Sequence, residues 1–85
     1  IMFSWDDLAV FLALHRERTT TRAAAALGIS QPTVVRRLAA LEQDLGMALF
    51  ERTAAGLVPT AEAGQLIEAA KGVERAICAF EAEVE

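Results

Sequence analysis

Five side chains close together in the chain could do recognition chemistry: Gln31, Thr33, Val35, Arg36 and Arg37. A glutamine carboxamide carries a donor and an acceptor on one edge and can pair with adenine through two hydrogen bonds. A guanidinium can do the same for guanine, and a valine methyl can lie against the methyl of thymine. The stretch is equipped to read base edges. Bond-making chemistry has no comparable set. With one histidine, His15, and one cysteine, Cys78, there is no Cys–His or His–carboxylate constellation, no Cys-based metal cluster and no intramolecular disulfide. No glycine loop of the phosphate-cradling type occurs. An enzyme is not expected, and neither is a cofactor or a resident metal.

Such residues need a helix that offers its first turns to a partner. The run Arg22 to Arg37, RAAAALGISQPTVVRR, reads as two short helices joined by a tight turn. Ala23 to Leu27 are strong helix formers. Gly28 then stops the helix at a position of positive φ, which is cheap for glycine. Ile29 is an apolar plug at the corner. Ser30 is an N-cap, and Pro32 falls in the first turn, where a missing N–H is no loss. Val34, Leu38, Leu41 and Leu45 recur at helical spacing as one buried stripe, which leaves the five recognition candidates largely off it. The alanines allow the close helix approach of a helix-turn-helix, whose second helix, about 31–45, would enter the major groove. The composition of that helix alone also fits a helical corner with a solvated basic face.

The flanks read as support. Ser4 and Asp7 resemble a capping box with Asp in place of Glu. Trp5, Leu8, Phe11 and Leu12 then lie at helical spacing, predicting a first helix over about 5–16 with its aromatics in the core. Thr19 is the expected N-cap of the second helix. Beyond Leu45-Gly46, the apolar runs Ala48 to Phe50 and Leu57-Val58 flank Thr53-Ala54-Ala55-Gly56 as a small β-hairpin, too short to be stable unless it packs on the helices. Pro59 stops the second strand and Thr60 caps the last helix. Along residues 61–85, Leu66, Ala70, Val73, Ile77, Phe80 and Val84 form an a/d seam at heptad period. A helix of that length spans roughly 37 Å at 1.5 Å per residue and outruns a small domain. Its seam needs an apolar partner, such as a second copy; folding back onto the core is the other arrangement the pattern allows.

Taken together, Arg22-Ala23-Ala24, Leu27, Ile29-Ser30-Gln31-Pro32, Arg36, Leu38, Leu41-Glu42, Leu45-Gly46, Leu49-Phe50, Arg52, Thr60 and Ala63-Gly64 resemble the N-terminal DNA-binding domain of LysR-type transcriptional regulators. The resemblance runs from about Trp5 to about Ala70. It implies a mostly α fold: a winged helix-turn-helix with a three-helix core and a β-hairpin wing in residues 1–60, then a linker and dimerisation helix in 61–85. It implies sequence-specific binding of double-stranded DNA. The family's recognition-helix positions carry over to Gln31, Pro32, Thr33, Val35 and Arg36 as base contacts. Thr21, Arg22 and Arg52 would hold phosphates, at a helix start and at the base of the hairpin. Arg37 could reach either phosphate or groove edge. The family also implies a homodimer through the linker helix, with a tetramer possible in the full-length protein, and a small-molecule effector bound by a domain absent from this chain. Three positions depart from the pattern. Thr20 stands where an aromatic is usual, Val35 where a small hydroxyl residue is common, and Ala55 where the wing often has a basic residue.

The 85-residue length suits one small domain. The net charge of −4 is unusual for a DNA binder, but its distribution is not. Residues 16–52 hold six arginines against four acids, whereas residues 53–85 hold six glutamates against Lys71 and Arg75. The asymmetry fits a basic footprint on one face, and by itself it also fits an ordinary mixed-charge surface. No apolar run approaches the ~20 residues of a membrane span and no signal peptide is visible, so a cytoplasmic location is expected. Ile1 before Met2 reads as a remnant of cloning. A protein-interaction module built on a winged helix and a coiled-coil helix is the alternative from another class, since fold does not dictate function.

Overall fold

Each helix begins where a hydroxyl can cap it. Ser4, Thr19, Ser30 and Thr60 accept hydrogen bonds from backbone N–H groups three residues on, and these caps open α1 (Trp5–Glu17), α2 (Thr20–Leu27), α3 (Gln31–Leu45) and α4 (Ala61–Val84). At Ser4 the bond is reciprocated by the Asp7 carboxylate, completing the capping box. The computed structural model describes residues 3–85; the Ile1-Met2 pair read as a cloning remnant lies outside the described residues. Gly28 and Gly46 end α2 and α3 with φ of 68° and 71°. Arg18 ends α1 in the same left-handed region, with φ of 67°, and its guanidinium Nε donates to the His15 carbonyl. The polar run Arg18 to Thr21 marks the break in the sequence, but not the left-handed conformation of Arg18.

Between α3 and α4, β1 (Phe50–Thr53) and β2 (Gly56–Pro59) form the antiparallel hairpin, with Phe50 opposite Pro59 and Thr53 opposite Gly56. Four ties anchor this short ribbon. The Phe50 ring packs edge-on against Phe11 at 5.9 Å between centroids. Thr60 Oγ1 donates to the Ala48 carbonyl at 2.7 Å. The Leu57 N–H donates to the Arg18 carbonyl at 2.8 Å. The Glu42 carboxylate, on α3, accepts from the backbone of Leu49 at 2.6 Å and Phe50 at 3.4 Å. Gly56 makes the third tie possible. It has φ of 107°, and a Cβ there would lie 2.7 Å from the Arg18 carbonyl oxygen.

Glu42 is thus a latch between α3 and the wing. Glu42→Ala is expected to strand two backbone donors and cost about 1.5–3 kcal/mol, the range for hydrogen bonds to charged groups. The melting temperature should fall by roughly 6–24 °C for a domain of this size. Thermal denaturation followed by circular dichroism checks this, and an unchanged melt would remove the latch from the stability of the fold.

The core is a single cluster. Val10, Phe11 and Leu14 from α1 meet Ala23, Val34, Leu41, Leu49 and Leu57. Ala63, Ile67 and Ala70 of α4 close the same cluster, so the division at residue 60 does not separate two cores. One expectation is corrected here. Trp5 is 36% exposed, because it occupies the first position of α1, beyond the packed layer; Phe11 carries the aromatic core instead. In α4 Ile67 and Ala70 are buried within the single chain, at 7% and 4% exposure, and Ala70 also lines an apolar groove beside Leu66 and Val73. Leu66 packs against the cluster but is only partly covered. The seam is genuinely open further along, where Phe80 and Val84 are 71% and 73% exposed.

Candidate nucleic-acid interface

The first two turns of α3 present a polar, exposed face. Gln31, Pro32, Val35 and Arg36 are exposed there, while Val34 on the opposite side is fully buried and fixes the rotation of the helix. Val35 adds an exposed methyl surface, at 45%. Thr33 and Arg37 are half-buried at the edges of this face. The Thr33 hydroxyl lies 2.7 Å from Ser30 Oγ, so it is already engaged by the N-cap. Among the described residues neither Arg36, Arg37 nor Arg52 has an ion-pair partner, which leaves their charge for an outside anion.

The start of α2 lies beside this face. The Gln31 carboxamide Nε2 donates to Thr20 Oγ1 at 2.8 Å. Thr21 and Arg22 are exposed in that first turn, where helix geometry leaves backbone N–H groups without intrahelical partners. Arg22 is held loosely by Glu17, at 3.8 Å. The wing adjoins through the Leu57–Arg18 bond, which ties it to the residues leading into α2. Arg52, exposed on β1, lies directly across from Leu57. Helix starts, recognition helix and wing are therefore linked by specific bonds. Ala55 is exposed in the hairpin turn and offers no charge.

Sequence reasoning missed three contributors. Thr20 was noticed as a departure in type, but not as a hydrogen-bond partner of Gln31. Glu42 and the Arg18–Gly56 contact went unseen because their partners are distant in sequence. The signals were present in residue type: an acid on the otherwise apolar side of α3, and a glycine after two alanines in the turn.

On the far side of α1, His15 meets Phe11 edge-on at 6.4 Å and shares a cleft with Lys71, Glu74 and Arg75. Burial pushes its pKa below the ordinary value, the charges of Arg18 and Lys71 push it the same way, and Glu68 opposes them. The unfolded chain therefore binds this proton at higher pH than the folded one. Full stability is present above the unfolded value of about 6.5 and is lost as pH falls through the lower folded value. Melting temperature should drop between pH 7 and 5, and less so in His15→Gln. An equal drop in both proteins would clear His15 of the effect.

These features define a winged helix-turn-helix domain with an exposed, basic recognition helix. The chain belongs to the lysR family of bacterial regulatory helix-turn-helix proteins, whose family profile matches residues 5–65. It is 46% identical over 59 residues to the HTH-type transcriptional regulator CbbR of Sinorhizobium medicae, covering 69% of this chain and 19% of that one. It is 45% identical over 65 residues to ClcR of Pseudomonas putida, covering 76% of this chain and 22% of that one. The chain thus spans about a fifth of the length of these relatives. Among solved structures, oxidized Corynebacterium glutamicum OxyR superposes with a TM-score of 0.95 at 28% identity, over 100% of this chain and 28% of that one. The CbnR DNA-binding domain in its DNA complex superposes with a TM-score of 0.81 at 30% identity, over 98% of this chain and 100% of that one.

Proposed function

We propose that this chain is the sequence-reading DNA-binding domain of a transcriptional regulator that works as a homodimer in the cytoplasm. The observation that carries the reading is the exposed start of α3, with Gln31, Val35 and Arg36 on its solvent-facing side, on a fold that superposes on a domain solved with DNA. Gln31, Pro32, Thr33, Val35 and Arg36 meet base edges in the major groove. Thr21, Arg22, Arg37 and Arg52 hold the backbone. The role is binding, without catalysis; an effector, if one is used, binds elsewhere in the full-length regulator.

Dimerisation rests on α4. Val73, Phe80 and Val84 are exposed, and an apolar groove of about 220 Å³ lies between α4, α1 and α3, lined by Leu8, Leu41, Leu45, Leu66 and Val73. An antiparallel or crossed copy of α4 would cover both. Ala70 lines the same groove at its floor.

Selection of bound sites from a random DNA pool tests the proposal. A palindromic consensus is expected, with half-sites one helical turn, about 10 bp, or a multiple of it apart. Binding without any enriched sequence would favour a protein-interaction role for the same face. Within this frame, Arg52→Ala should weaken all sites alike and reduce the salt slope by about one unit. A mobility-shift series across salt concentrations checks this, and an unchanged slope would remove Arg52 from the interface.

A further inference from the structure

Thr20 is the buried polar side chain of the described core, at 8% exposure, and it stands at the first position of α2. Its hydroxyl oxygen accepts from Gln31 Nε2 at 2.8 Å, across the turn between the two helices. Gln31 is itself exposed, at the first position of α3. A flexible glutamine at a helix start would ordinarily sample many rotamers, and ordering it on binding carries an entropic penalty. Here the bond to Thr20 fixes the carboxamide before any ligand arrives. A carboxamide nitrogen has two hydrogens, and two-point pairing with adenine uses only the one beside the oxygen. The other is free to serve Thr20. A phenylalanine at residue 20 could fill the space but has no polar atom to accept this bond.

We infer that Thr20 is a positioning residue for base recognition: its hydroxyl presets the Gln31 carboxamide, and the adenine preference read by Gln31 depends on it. This rests on the proposed reading of Gln31 as a base contact. Four variants of the 85-residue chain separate the two ideas, each carried through site selection and then measured on the preferred site and on its single-base variants. Gln31→Ala identifies the base pair that Gln31 reads, by loss of preference there. Thr20→Val keeps the size and β-branching of threonine without the hydroxyl. It is expected to lower preference at that same base pair about two- to tenfold, the range for one ordinary hydrogen bond. Thr20→Ser should restore it. In the Thr20→Val, Gln31→Ala double variant the threonine change should have no further effect on preference. Thermal melts establish that each variant is folded.

A Thr20→Val protein that is folded and keeps full preference would overturn the inference while leaving Gln31 as a base contact. So would a uniform loss on all sequences, or a gain of preference, which would mean that the bond withholds Gln31 from the groove. If Gln31→Ala relaxes no base pair, the base-contact reading of Gln31 fails and the role of Thr20 fails with it.

Discussion

Phe80→Asp is expected to convert the protein to a monomer at micromolar concentration and to cost about 10²- to 10⁴-fold in affinity for a site with two half-sites. That range is the avidity gained when a second contact becomes intramolecular. Phe80 is 71% exposed, so the change removes no contact from the single-chain core. In a paired α4 it would place a charge inside an apolar seam, a severe penalty unless the helices separate. Affinity for an isolated half-site should be nearly unchanged, which distinguishes lost pairing from lost folding. Ile77→Asp should act in the same direction, although Ile77 is already partly covered in the monomer. Glu81, Glu83 and Glu85 add negative charge at the C-terminal end of α4, where it opposes the macrodipole. Sedimentation and binding to one- and two-half-site duplexes test the prediction. A wild-type chain that is monomeric at micromolar concentration, yet tight on two half-sites, would mean that pairing depends on DNA or on parts of the regulator outside this chain.

Arg36→Ala should cost about 1–3 kcal/mol on the best site, roughly 5- to 150-fold, and should relax preference at one base pair. Arg36 is exposed one turn into α3 and has no ion-pair partner among the described residues, so its charge is uncommitted before binding. The fold should be unaffected, because no core contact is lost. The comparison with random DNA decides the role. A loss confined to the preferred sequence marks a base contact. Equal loss on preferred and random DNA would make Arg36 a phosphate contact, like the role assigned to Arg52, and would leave Gln31 and Val35 to carry sequence preference.

What the sequence determined by itself is local. The caps Ser4, Thr19, Ser30 and Thr60 and the stops Gly28 and Gly46 act on backbone groups a few residues away, so the helix boundaries could be read from residue types. The spacing of Val34 and Leu41 likewise assigned one side of α3 to the core and left Gln31, Val35 and Arg36 on the other. Periodicity could not choose the covered side of α4. Leu66 and Ile67 are adjacent apolar residues, and only the position of α1 decided that Ile67 and Ala70 turn inward while Phe80 and Val84 stay bare. The same holds for the Gln31–Thr20 bond, the Glu42 latch and the close approach of Gly56 to Arg18. Each joins separate elements, so each exists only once the packing of buried apolar faces has fixed where those elements lie.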